Sequence, residues 1–176
     1  MSQLNIIIDG KPINQKERPK EDEKIISIAI KKMLPDIKKW SKEDDDEEDI
    51  LKSLISNYSS FEDGYTFAKK LDENDSWESD TELVNILDDA SNYVREVLIE
   101  EEKKWVIENE ITPPYQIGDK VSFNYRKKDV IGEIVKIWHD TAKFTIYCES
   151  LGHVKSGCGT NGTIINYENV KGVKND

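Results

Sequence analysis

Thr112-Pro113-Pro114-Tyr115-Gln116-Ile117-Gly118-Asp119-Lys120-Val121-Ser122-Phe123 marks the place where the pattern of this chain changes. Upstream, Leu83, Leu87, Ala90, Val94 and Val97 recur at intervals of 4, 3, 4 and 3, which puts them on one face of a helix. The two prolines lack backbone N–H groups and push the residue before each of them out of helical conformation, so the helix predicted from Thr81 ends near Asn109. Downstream, Val121, Phe123 and Tyr125 alternate, the period of a strand with one buried face. The fold class predicted is α+β with the two kinds of structure segregated: an N-terminal β-hairpin over 1–19, an acidic helical module over 20–111 and a small β-barrel over 112–176.

Working back toward the N-terminus, Asn5-Ile6-Ile7-Ile8, then Asp9-Gly10, then Lys11-Pro12-Ile13 reads as strand, turn and short return strand. A first helix runs from Glu21 with Ile25, Ile26, Ala29, Ile30, Met33 and Leu34 on its apolar face, and Pro35 is expected to close it. A second is expected to start at Ser41 and to bury Ile50, Leu51, Leu54, Ile55 and Tyr58. A third is expected at Ser59 or Ser60, capped by Ser59-x-x-Glu62 and burying Phe61, Tyr65, Ala68 and Leu71. The fourth, from Thr81, would be roughly 43 Å long at about 1.5 Å per residue. Its far end, Trp105-Val106-Ile107, needs another surface to pack on.

Toward the C-terminus, further alternating stretches follow at Val130 to Trp138, at Phe144, Ile146 and Cys148, and at Thr163 to Tyr167. Short strands punctuated by glycines read as a small closed barrel. Tyr115-x-x-Gly118-Asp119-x-Val121, Gly132-Glu133-Ile134-Val135, Gly162-Thr163-Ile164-Ile165 and Tyr167-Glu168-Asn169-Val170 resemble an SH3-like barrel of the KOW or Tudor kind over Tyr115 to Val173. The resemblance implies a barrel that binds RNA, ribosomes, methylated tails or other proteins.

Charge is as segregated as periodicity. Residues 1–40 carry a net +3, residues 41–110 a net −16 and residues 111–176 a net +2, giving the chain −11. A field of one sign over one module draws in basic surfaces and repels polyanions. The acids concentrate in Glu43, Asp44, Asp45, Asp46, Glu47, Glu48 and Asp49, joined by Asp72, Asp75 and Asp80. Some serve the positive end of a helix dipole. Seven in succession repel one another, so the run is read against two alternatives, a solvated face and a polyanionic binding surface.

No constellation for catalysis survives the reading, and no cofactor is expected. His139, Cys148, His153 and Cys158 are adequate zinc donors by type. Their spacing fits no standard knuckle, and Cys148 continues the inward alternation of Phe144 and Ile146, so they are read as barrel core and loop residues. Gly157 to Gly162 has phosphate-loop glycine spacing but lacks the lysine and precedes a strand, which makes it a hairpin loop. Asp72-x-Asn74-x-Ser76 begins like a calcium loop, but Trp77 stands where that turn needs glycine. Tyr125, Trp138, Tyr147 and Tyr167 are read as barrel core first and as a cage for a methylated cation second.

The sequence therefore points to a non-enzymatic binder, an inhibitor or adaptor that sets its acidic helices in the basic, nucleic-acid-binding groove of a protein partner. In type it resembles small acidic phage-encoded inhibitors of host defence, anti-CRISPR and anti-restriction proteins among them. The alternative makes the barrel the working part, an RNA-, ribosome- or polymerase-associated module contacting its target through Arg126, Lys127, Lys128 and Trp138. With no basic apolar leader at its start and no apolar run of membrane-spanning length, the expected setting is the cytoplasm, without membrane contact.

Overall fold

The computed structural model describes residues 4–8, 11–15, 17–41, 46–156 and 159–173, the side chains of 4–8, 11–15, 155–156 and 159–160 excepted. The architecture is mixed α+β: helices, then a curled five-stranded antiparallel sheet, a half-barrel, in the C-terminal part. Contacts along the backbone divide the chain into two units, one of Pro19–Glu101 and one of Met1–Arg18 with Glu102–Asp176.

The second unit opens with β1 (Leu4–Ile8) and β2 (Lys11–Gln15), an antiparallel hairpin with Ile8 opposite Lys11. The helical unit holds α1 (Glu23–Ser41), α2 (Glu47–Asn57), α3 (Gly64–Asp75), α4 (Thr81–Asp88) and the first turns of α5 (Ala90–Glu108). Its core gathers Ile30, Met33, Ile37, Leu54, Leu71, Leu83 and Leu87, all essentially inaccessible. Each such side chain contributes roughly 1.5–3 kcal/mol on leaving water. The seam read from the sequence holds, since Leu83, Leu87, Ala90, Val94 and Val97 are all buried.

Four boundaries differ from the sequence reading. Pro35 does not close α1; it lies exposed inside the helix, which runs on to Ser41. An interior proline costs about 3 kcal/mol, and full burial of Ile37 with packing of Trp40 on the core offsets it. The second helix starts after Asp46, not at Ser41, because the Asp46 side chain accepts the Glu48 N–H at 2.8 Å. Ser59 forms a turn to Glu62, and the cap of α3 is Asp63, which accepts the Thr66 N–H at 2.8 Å. The buried face of α3 shifts accordingly to Phe67, Ala68 and Leu71, leaving Phe61 99% and Tyr65 66% exposed. Finally, the single helix predicted over Thr81 to Asn109 is broken at Asp89. Adjacent aspartates favour local alternatives to helix. Here the Asp89 carbonyl accepts the N–H groups of Asn92 and Tyr93, and the Asp88 carboxylate takes the Gly64 N–H. A Cβ at position 64 would stand 2.2 Å from the Val84 carbonyl oxygen, so only glycine lets α3 start this close to α4.

The half-barrel is built from β3 (Lys120–Tyr125), β4 (Lys128–Trp138) and β5 (Lys143–Tyr147), then a small hairpin of β6 (Lys155–Ser156) and β7 (Gly159–Thr160), then β8 (Thr163–Asn166) and β9 (Val170–Gly172). The strand order β8-β5-β4-β3-β9 brings the last strand back to pair with the first, after a 3-10 turn at Tyr167–Asn169. Val121, Phe123, Ile134, Phe144, Ile146 and Val170 fill the concave face. Gly132 is required where β4 presses on β5, since a Cβ there would lie 2.5 Å from the Tyr147 carbonyl. The end of α5 supplies what its sequence demanded: Trp105 and Val106 enter this core, while Ile107 stays exposed. The helix stops with Glu110 at φ 50° and an Ile111 N–H bond to the Val106 carbonyl, a Schellman closure whose apolar pair, Ile111 and Val106, sits in the same core. No helix among the described residues is long and apolar enough to cross a membrane.

Candidate functional site

In the helical unit the last turn of α1, the first turns of α2 and the segment after α3 enclose an open cleft of about 950 Å³. Its lining includes Asp46, Asp49, Asp75, Glu78 and Asp80, and Lys52 is the one cation among the described residues that line it. Trp40 and Trp77 stand in it as a stacked pair, ring centroids 6.0 Å apart and planes 9° from parallel.

Local structure dictates how these groups are held. Asp80 caps α4, accepting the Leu83 N–H at 3.0 Å, and the same oxygen accepts the Trp40 indole N–H at 2.9 Å. The Leu83 bond, with a smaller share from Trp40, holds its carboxyl below the ordinary value and keeps it ionised. Asp46 is tied to the start of α2 as its cap. Asp75 accepts the Ser53 hydroxyl at 2.5 Å and the Asn57 amide at 2.7 Å, and Asn57 accepts from Asn74 at 2.6 Å, so the ends of α2 and α3 are fastened together behind it. Asp49 and Glu78 make no hydrogen bond or ion pair among the described residues, and both are exposed. The site thus has three oriented carboxylates, two uncommitted ones and an aromatic pair, a set of acceptors for cationic side chains.

The remaining acids of the run are arranged differently. Glu47 pairs with Lys38 at 2.7 Å. Glu48 borders a separate depression with Lys31 and Lys52. Asp72 accepts the Ser79 N–H at 2.9 Å and shapes the loop, outside the cleft lining. Glu43, Asp44 and Asp45 lie outside the described residues.

On the half-barrel, Arg126 and Lys127 form the two-residue tip of the β3–β4 hairpin, both at positive φ (48° and 67°), with Lys128 opposite Tyr125. Trp138 lies at the other end of β4, its indole N–H on the Thr145 hydroxyl and the Lys136 ammonium 3.4 Å from its ring centre. These residues therefore do not form one surface. Nor do the four aromatics converge: Tyr125 and Trp138 are at opposite ends of the hairpin strands, and Tyr167 is buried against Phe144 at 4.3 Å. Cys148 is buried, as its alternation predicts. Both ring nitrogens of His153 are engaged, Nδ1 accepting the Cys148 N–H at 2.9 Å and Nε2 facing the Thr163 hydroxyl at 3.2 Å. That arrangement places the ring proton on Nε2. His139 is exposed, and Cys158 lies outside the described residues. Among the described residues no group of three or more His, Cys, Asp or Glu side chains is placed to hold a metal ion.

No protein-family model, no curated protein and no solved structure matches the chain.

Two parts of the cleft were not read as site residues from the sequence, the Trp40–Trp77 pair and Glu78. A signal existed for Trp77, the one large apolar residue in the polar stretch between Asp72 and Asp80. Trp40 carries no such signal, because Pro35 predicts that the helix ends before it.

Proposed function

We propose that this protein acts by binding, without catalysis, and that the acidic cleft of its helical unit receives lysine or arginine side chains from a basic surface of a protein partner. The observation that carries the reading is the convergence of Asp46, Asp49, Asp75, Glu78 and Asp80 on one cleft beside stacked Trp40 and Trp77. A cation entering there meets charge-assisted hydrogen bonds from carboxylates already held in place, and an indole face adds about 0.5–2 kcal/mol according to how dry the contact becomes. Preorganisation matters because the ordering cost of three of the five carboxylates is met in folding.

The surfaces such a cleft suits best are those that bind nucleic acid, where lysines and arginines are spaced to meet phosphates. The consequence of binding is then blockade: the protein occupies the groove and excludes the polyanion. This is the mode of a small acidic inhibitor working in the cytoplasm, as the sequence resemblance in type implies.

The test is competition. Affinity capture from the source cell or its host should return a protein whose DNA or RNA ligand displaces this chain. Changing Asp49→Asn and Glu78→Gln together should weaken that binding while the melting temperature stays put, and wild-type binding should fall steeply with salt, exposed pairs being screened beyond about 8 Å at physiological ionic strength. Micromolar or tighter binding of DNA or RNA by the wild-type chain itself would overturn the reading and favour the barrel as the working part.

A further inference from the structure

Arg18 is 6% exposed, a burial that charged residues reach only when fully partnered. All five guanidinium N–H groups are used. Nε and Nη2 grip Glu168 in a two-pronged pair at 2.7 and 3.0 Å, Nη1 donates to Glu102 at 3.1 Å and to the Thr141 carbonyl at 2.7 Å, and Nη2 also donates to the Ala142 carbonyl at 2.8 Å. The Trp105 ring lies 4.8 Å from the guanidinium carbon. Lys143 holds the other oxygen of Glu102 at 2.6 Å, which orients that carboxylate toward the arginine. Ala142 adopts φ 49° in this turn, a conformation unfavourable for a residue with a Cβ. The acceptors therefore form a planar, fork-matched cage that an ammonium cannot fill, because its donors radiate from a single atom.

The occupant comes from a separate part of the unit. Every acceptor lies between Glu102 and Glu168, whereas Arg18 follows the hairpin of β1 and β2, a sheet that pairs with no other described strand. We propose that this cage is a receptor for an arginine side chain, filled in cis by Arg18, at which an arginine-bearing segment of another chain can displace the N-terminal hairpin segment.

The full-length Arg18→Ala variant tests this with methylguanidinium as the probe and methylammonium as its control. The expected result is a saturable, millimolar-range rise in the melting temperature of the variant with methylguanidinium alone. In about tenfold excess over its Kd, the probe raises the folded-to-unfolded ratio roughly elevenfold. Wild type, whose cage is full, should not respond, and Arg18→Ala with Glu168→Gln should lose the response. Should Arg18→Ala not fold by itself, recovery of folded protein on refolding with methylguanidinium but not methylammonium supports the receptor equally. The displacement step is read on wild type with a labelled peptide copying residues 14–22, which should bind the variant tightly and wild type more weakly but saturably. The same peptide with alanine for arginine should bind neither, and binding to the variant with none to wild type would overturn the displacement. Equal effects of the two probes, equal effects on variant and wild type, or no effect at all would overturn the proposal.

Discussion

The helical unit and the half-barrel unit use charge in opposite ways. In the first, many carboxylates stand in water around a cleft, and those with assigned partners cap helices or tie loops. In the second, a few charges are gathered largely out of water: Arg18 and Glu102 buried, Glu168 nearly so, and Lys143 at the edge. The comparison teaches that burial and satisfaction, not the number of charges, decide what a charge does for stability. Of the conspicuous run of seven acids, Asp46 caps α2 and Glu47 pairs with Lys38 at the surface, whereas one arginine in an unremarkable stretch is buried with every donor satisfied.

The largest effect that can break this contrast is expected from Arg18→Ala, which leaves the nearly buried Glu168 without its two-pronged partner and the buried Glu102 with Lys143 alone. The expected loss is about 3–5 kcal/mol, the usual cost of orphaning a buried charge, measured by denaturant unfolding of the full chain. A loss no greater than that of a surface substitution would show the cluster to be hydrated and the contrast false. Trp105→Ala, which removes a core side chain and the wall beside Arg18, should cost a similar or slightly smaller amount, about 3–5 kcal/mol by truncation of a buried aromatic. Partial relaxation around the shortened side chain would put it at the low end.

Smaller effects should come from the helix caps. Asp63 and Asp80 both have carboxyls held below the usual range, chiefly by the backbone N–H groups of Thr66 and Leu83. Since the folded value is the lower one, their contribution is complete above the ordinary value of 3.8 and disappears as pH falls through the depressed folded value. Asp80→Asn keeps an amide acceptor for the cap but no charge. Its melting temperature should lie slightly below wild type at neutral pH, and the two should converge below pH 4; a constant gap would assign the loss to shape instead of charge.

The smallest change expected is Tyr167→Phe. Burial pushes the Tyr167 phenol up to about 12, and its hydroxyl oxygen has no hydrogen-bond partner among the described residues. A raised folded value means that stability is intact below the ordinary 10.0 and is lost as pH climbs toward 12. The variant should be as stable as wild type at neutral pH, since no bond is lost, and should resist alkaline unfolding better between pH 10 and 12. Destabilisation at neutral pH would reveal a partner for the hydroxyl.

The sequence was legible where a pattern repeats. Leu83 through Val97 and Val121, Phe123, Phe144 and Ile146 bury as their periods require, because each repeat adds the same orientation signal and errors average out. Boundaries were less legible. At Pro35, Ser41 and Ser59 a local preference of about 1–3 kcal/mol is outweighed by packing of Ile37 or Phe67, whereas at Asp89 the helical period runs on and the local preference of Asp88 and Asp89 breaks it. The cleft was half legible: its acids are visible as composition, but the Trp40–Trp77 pair joins residues 37 positions apart, which no local pattern records.

By itself the sequence determined the class of the fold, the order of helical and β parts, the segregation of charge, and the need of Trp105 and Val106 for a second core, all consequences of short-range periodicity and composition. Only the tertiary structure decided which carboxylates are committed to caps, which remain available in the cleft, and that Arg18 meets Glu102 and Glu168 across 84 and 150 residues. The physical reason is one of range. Periodicity acts over a helical turn or a strand, whereas a buried charge is stable only where distant segments bring all its partners to it at once.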